Sequence, residues 1–203
     1  MGTNNLDLHR EPDLNAVIEA YRLRAVDRTK SFLMLEEHAK KGSKLSLAYL
    51  SVLFGRGGVD LDDILERAKQ WNELAKEAHL GDSTSYRFGR GFFRLGDYAS
   101  AFDAFSWGAE EGYAPSIYRL AHMYLLGLHV EKNYEIARPL LEIAAKKGNV
   151  FAKKDLAHVL LKTKSGFSGK AKLLGLLFVL SYYQCAIIIR SIRRIPIDER
   201  YFG

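Results

Sequence analysis

Four stretches of the chain repeat one arrangement: an apolar residue, a small one, two variable positions and a large apolar residue. They read Leu50-Ser51 with Phe54, Phe88-Gly89 with Phe92, Leu120-Ala121 with Tyr124, and Leu156-Ala157 with Leu160. Offsets of three and four positions put these residues on one side of an α-helix. The small residue lets a paired helix approach, and the large one fills the gap between helices. A second pattern, Ala-x-x-Gly, recurs at Ala39–Gly42, Ala78–Gly81, Ala109–Gly112 and Ala145–Gly148, with the glycines 39, 31 and 36 residues apart. Each copy is expected to end a helix, the alanine packing closely and the glycine supplying the left-handed turn.

A third element lies between paired helices: Gly57-Gly58-Val59 in one unit and Gly127-Leu128-His129-Val130 in another. Together the three predict helix pairs at 44–55 with 61–79, 83–94 with 97–110, 114–126 with 133–146, and 150–162 with a helix after Ser168. Residues 14–40 form an initial pair or one long helix. Asp60, Asp62 and Asp63 crowd one turn before Ile64 and are expected to cap a helix N-terminus. Pro139 falls inside a predicted helix, early enough for a kink or an offset start to absorb it. No alternating run is long enough for a sheet. The expected fold is all-α, an α-solenoid of stacked antiparallel helix pairs with an apolar C-terminal helix. Residues 1–12 form a disordered lead, 13–165 the repeats, and 166–203 the apolar helix with basic flanks and a short tail.

These elements, in this order and phase, resemble the Sel-one-like repeat (SLR), an α-solenoid relative of the tetratricopeptide repeat. The resemblance is clearest in Tyr118-Arg-Leu-Ala-His-Met-Tyr124, Gly127-x-x-Val130, Tyr134-x-x-Ala137 and Ala144-Ala145-Lys-Lys-Gly148. It covers about residues 35–162. The segment 82–112, with Leu95-Gly96-Asp97-Tyr98 and Ala101, is more tetratricopeptide-like. Ala121 and His129 stand where the pattern usually has glycine. The resemblance implies scaffolding, because stacked repeats make extended surfaces that hold other proteins and rarely carry chemistry.

Charge changes the picture at one end only. The net charge is +6. Lys162, Lys164, Lys170, Lys172, Arg190, Arg193, Arg194 and Arg200 lie in the last fifth of the chain against Asp198 and Glu199, and they account for the whole excess. The repeats are neutral overall, which argues against a nucleic-acid groove. Those basic residues flank an uncharged run from Leu173 to Ile189, LLGLLFVLSYYQCAIII. As a helix it rises about 25 Å against a hydrocarbon core of roughly 30 Å. It is apolar all round, so it is buried in lipid or in protein. The first alternative makes Leu173, Leu174, Leu176, Leu177, Phe178, Val179, Leu180, Ile187, Ile188 and Ile189 membrane contacts. The second makes the run a closing helix of the solenoid or an oligomer contact. Met1 to Pro12 has no apolar signal-peptide core, and the single cysteine, Cys185, permits no intrachain disulfide. The solenoid is therefore expected to face the cytoplasm at a membrane, or to be cytoplasmic if the run is buried in protein.

No constellation points to catalysis, a cofactor, a metal or a small-molecule substrate. Gly55-Arg-Gly57-Gly58 lacks the strand and the Gly-Lys-Ser/Thr of a phosphate loop and is a repeat turn. Gly166-Phe-Ser-Gly169-Lys170 has the wrong spacing for one and reads as a hinge. His9, His38, His79, His122, His129 and His158 show no metal-binding spacing. In the resembled family the first helix of each pair lines the concave face. Positions beside the small residue then point there: Tyr49 and Val52, Arg87 and Arg90, Arg119 and His122, Asp155 and His158. With Tyr86 and Tyr118, the middle pairs make a basic, partly aromatic strip for an acidic protein segment. The expected function is a non-enzymatic adaptor that binds a protein partner and is attached to a membrane. The alternative is a soluble regulatory module that self-associates through Leu173–Ile189. The resemblance implies bacterial envelope or polysaccharide assembly as the setting.

Overall fold

The computed structural model describes residues 11–162 together with Leu174, Gly175, Phe178 and Ser181. The 1–10 part of the lead and most of the 173–189 run lie outside the described residues, including Leu173, Leu176, Leu177, Val179, Leu180, Ile187, Ile188 and Ile189. Among the described residues the regular structure is helical, as expected. The helices are α1 (Leu14–Arg22), α2 (Arg28–Lys40), α3 (Lys44–Arg56), α4 (Ile64–Glu77), α5 (Asp82–Arg94), α6 (Tyr98–Glu110), α7 (Ala114–Leu126), α8 (Tyr134–Lys146) and α9 (Val150–Lys162). A 3-10 turn, Leu23–Ala25, breaks the 14–40 segment, so it is a helix pair and not one long helix. The chain divides into two compact units, one running through Ser116 and one beginning at Ile117.

Side-chain caps fix most helix starts. Asp27 accepts from the Lys30 N–H, Ser43 from Ser46, Asp97 from Ser100, Asn133 from Glu135 and Ile136, and Asn149 from Ala152. Each satisfies a backbone donor that the helix leaves without a partner. The aspartates before α4 depart from expectation. Asp63 stands at the start of α4 but makes no side-chain cap bond. Its carboxylate instead accepts from Arg67 Nε at 2.7 Å, and Arg67 also reaches the buried Glu36 of α2. Pro139 lies inside α8, which begins at Tyr134, so no offset start accommodates it.

The first unit has an aromatic core. Phe32 of α2 meets Trp71 of α4 edge-on at 4.6 Å between ring centroids. Phe54 of α3 meets Phe88 and Phe92 of α5 at 6.1 and 5.0 Å. Phe32, Phe54, Phe88, Phe92 and Trp71 are all buried, and each such side chain contributes roughly 1.5–3 kcal/mol. The apolar–small–large pattern is thus the core-facing side of α3, α5 and α9. In α7 the deeply buried large residue is Met123, and Tyr124 is only half-buried.

The Ala-x-x-Gly ladder holds at three of its four rungs. Gly42, Gly112 and Gly148 have φ of 90, 76 and 96° and close the turns after α2, α6 and α8. Ala78–Gly81 is out of phase. There the left-handed residue is His79, at φ 51°, whose N–H bonds to Lys76 as that of Gly42 bonds to Ala39. Gly81 has an ordinary φ of −57° and starts α5. Counted by the residue that makes the turn, the units are 37, 33 and 36 residues long, more even than the glycine spacing. The residue buried at the close approach is one position before the alanine in the third and fourth rungs, Gly108 and Ala144. A Cβ on Gly108 would collide with the hydroxyls of Ser85 and Ser116.

Candidate functional site

In the first unit the first helices α3 and α5 lie side by side because glycines face their partners. Gly55 faces the Arg87 carbonyl, where an added Cβ would stand 2.7 Å from the oxygen. Gly91 faces the ring of Phe54 in the same way. Arg94 completes the contact by donating to the carbonyls of Phe54 and Gly55 at 3.0 and 3.2 Å. Arg28 donates to the Gly57 carbonyl at 2.8 Å. Two guanidinium groups thus satisfy carbonyls at the C-terminal end of α3, where the helix macrodipole favours positive charge.

This contact sets the register of the candidate side chains. Ser51 and Gly89 are equivalent, so Tyr49 matches Arg87 and Val52 matches Arg90. Tyr49 stacks on Tyr21 of α1 with centroids 3.8 Å apart and planes 4° from parallel. The Arg24 guanidinium lies 3.8 Å over the Tyr21 ring. Arg90 is exposed and lies 5.9 Å from the Tyr86 ring. Tyr86 itself is buried, against Phe105 and Tyr113. The expectation that Tyr86 offers its ring to a partner is therefore corrected: its ring is core, and the accessible group is Arg90. Tyr21, Arg24 and Arg56 were missed in the sequence. Arg56 has a visible signal, since it lies five positions after the small residue Ser51, as Arg94 does after Gly89. Tyr21 and Arg24 lie outside any recognised repeat.

The second unit carries the other predicted residues. Tyr118 is buried and stacks on Phe151 of α9 at 6.0 Å, so it too is core and not a free aromatic contact. Arg119 lies 6.0 Å from the Tyr118 ring, and His122 lies 5.7 Å from it. Burial lowers the His122 pKa from its ordinary value, Asp155 opposes this, and Arg119 adds to the lowering. His122 Nδ1 and Asp155 Oδ2 are both buried without a hydrogen-bond partner. The acidic Asp155 offsets Arg119, so this cluster is not a continuation of a basic strip.

Among the described residues no group of histidine, cysteine and carboxylate side chains could hold a metal ion, and no helix is long and apolar enough to cross a membrane. Leu174 and Phe178, two of the predicted membrane contacts, are 70% and 78% exposed.

No protein-family model matches the sequence, and no curated protein is similar to it. Solved structures are similar in fold. A Sel1 repeat protein from Oxalobacter formigenes matches with a TM-score of 0.57 at 18% identity, over 87% of this chain and 77% of its own. A protective antigen present in uropathogenic Escherichia coli strains, displaying an SLR fold, matches with a TM-score of 0.56 at 20% identity. That match covers 75% of this chain, which spans 34% of the antigen's length. The fold is the SLR fold expected from the repeats, an all-α repeat architecture.

Proposed function

We propose that the chain is a non-enzymatic scaffold that holds a protein partner on the exposed side of its first helices and is attached to a membrane by the run Leu173–Ile189. The observation that carries the scaffold part is the α3–α5 face. Close glycine contacts and two carbonyl-binding arginines hold it rigid, while Val52, Arg56 and Arg90 stay accessible along it. A rigid surface loses little entropy on binding, which is the physical advantage of a repeat stack. The membrane part is supported by the uncharged run, its basic flanks, and the exposure of Leu174 and Phe178 four positions apart. Apolar surface of that kind is covered by lipid or by protein. The solenoid then faces the cytoplasm, and bacterial envelope or polysaccharide assembly is the setting proposed.

The same two exposed residues favour one alternative, a soluble module in which a second copy covers the run. Fractionation separates the two. A membrane-attached scaffold sediments with membranes, resists extraction by salt and alkali, and becomes soluble when residues 170–203 are removed. A self-associating module is soluble at full length and loses its oligomer on the same truncation.

A further inference from the structure

If the α3–α5 face is where the scaffold holds its partner, its charge identifies the partner's chemistry: we propose that it binds a short acidic segment of a protein through Arg24, Arg56 and Arg90, with the Tyr21–Tyr49 stack as an apolar platform beside them.

Acidic residues are scarce on the two helices of this face. α3 contains no acidic residue, and the only one on α5 is Asp82, its first residue. Glu19 of α1 pairs with Arg22, which is one position round the helix from Tyr21, and Glu19 itself lies on the side opposite Tyr21. Arg56 and Arg90 are exposed, and among the described residues neither pairs with a carboxylate. The like charge of Arg90 adds to burial in lowering the Arg94 pKa. Ion pairs among the described residues of this unit include Glu36–Arg67, Asp63–Arg67, Glu66–Lys69 and Lys69–Asp97, none of which involves Arg56 or Arg90.

Guanidinium groups bind carboxylates through paired donors, and stacked tyrosines offer contact area at low entropic cost. A long polyanion fits less well. The repeats are neutral overall, and α4 carries Glu66, Glu73 and Glu77 against Arg67, Lys69 and Lys76, so a long polyanion reaching beyond α3 and α5 would meet repulsion as well as attraction. A short acidic segment touches only the arginine side.

The test uses the full-length protein in detergent and a fluorescent oligoglutamate peptide, with binding read as anisotropy. Oligoglutamine and a single-stranded oligonucleotide serve as comparison probes. Arg56→Glu with Arg90→Glu is expected to weaken oligoglutamate binding on the order of tenfold. Lys146→Glu with Lys147→Glu makes the same change in net charge at the exposed end of α8 and is expected to change it by less than about twofold. Both pairs are exposed, and a melting curve for each checks that the fold persists. The basic residues of 162–203 are present throughout, so they cancel from the comparison. Equal loss in the two variants, no loss in the arginine variant, oligoglutamine binding as well as oligoglutamate, or tighter binding of the oligonucleotide through the same arginines overturns the proposal. If the arginine variant still captures a partner at α3 in cells, the scaffold stands and the acidic chemistry falls.

Discussion

Gly55 of α3 faces the backbone carbonyl of Arg87 on α5 so closely that a methyl group on it would stand 2.7 Å from the oxygen. Backbone cannot move aside as a flexible side chain can. Gly55→Ala is therefore expected to destabilise the protein by about 1–3 kcal/mol, as overpacking does. Gly96→Ala is the comparison, since a Cβ there meets nothing within 4 Å and only its φ of 82° is strained. Chemical denaturation of the two variants checks the difference. A Gly55→Ala protein as stable as the wild type would mean that α3 and α5 are not held at this distance.

Arg94 ties the same two helices together through the carbonyls of Phe54 and Gly55. Arg94→Met keeps much of the side-chain length and removes both donors. Hydrogen bonds from a charged donor are worth about 1.5–3 kcal/mol each when shielded from water, and because Arg94 is exposed a smaller combined loss of roughly 2 kcal/mol is expected, read as a lower denaturation midpoint. Arg90→Met, which removes an exposed guanidinium, is expected to leave the midpoint within about 0.5 kcal/mol.

His79 holds the left-handed position that glycine holds at the other rungs. Its side chain is exposed, so nothing in the packing requires it. His79→Gly is expected to stabilise by about 0.5–1 kcal/mol, the left-handed strain relieved less the entropy that glycine adds to the unfolded chain. Gly148→Ala, at φ 96°, is expected to destabilise by about 1 kcal/mol. Opposite shifts in melting temperature are the signature of a shared turn geometry.

His122 gives the second unit a pH dependence. Burial holds its pKa below the ordinary 6.5, with Asp155 of α9 opposing and Arg119 of α7 reinforcing. The unfolded chain therefore takes up this proton at higher pH than the folded one. Stability is complete above the ordinary histidine range and falls as pH drops below about 6.5 toward the folded value. His122→Gln cannot titrate, so its melting temperature is expected to change less than that of the wild type between about pH 7.5 and pH 5.5. An identical pH dependence in the two proteins would place the titrating group elsewhere.

What the sequence could and could not reveal follows from the range of each interaction. The Leu50-Ser51-Phe54 and Phe88-Gly89-Phe92 patterns identified core-facing positions because burial imposes helical spacing directly on the chain. Ala78–Gly81 misled because the turn is made by backbone φ, and histidine can adopt at His79 what glycine adopts at Gly42. Tyr86 and Tyr118 were expected to be accessible, yet Tyr113 and Phe151 cover them, and those contacts exist only once separate helices have packed. The caps at Ser43, Asn133 and Asn149 act within a single turn, whereas Arg94 reaches carbonyls about forty positions earlier in the chain. Asp155 was visible as a position beside a small residue. Its effect on His122 depends on α7 and α9 lying together, which no local pattern encodes.

The claim that a partner is held on the first-helix face is tested most directly by a photo-crosslinking residue placed at Val52 on α3, with Glu73 on the exposed side of α4 as the counter-position, in cells making the full-length protein. The account predicts that irradiation captures one discrete protein from Val52 and not from Glu73. No adduct from Val52, or the same set of adducts from both positions, would contradict it.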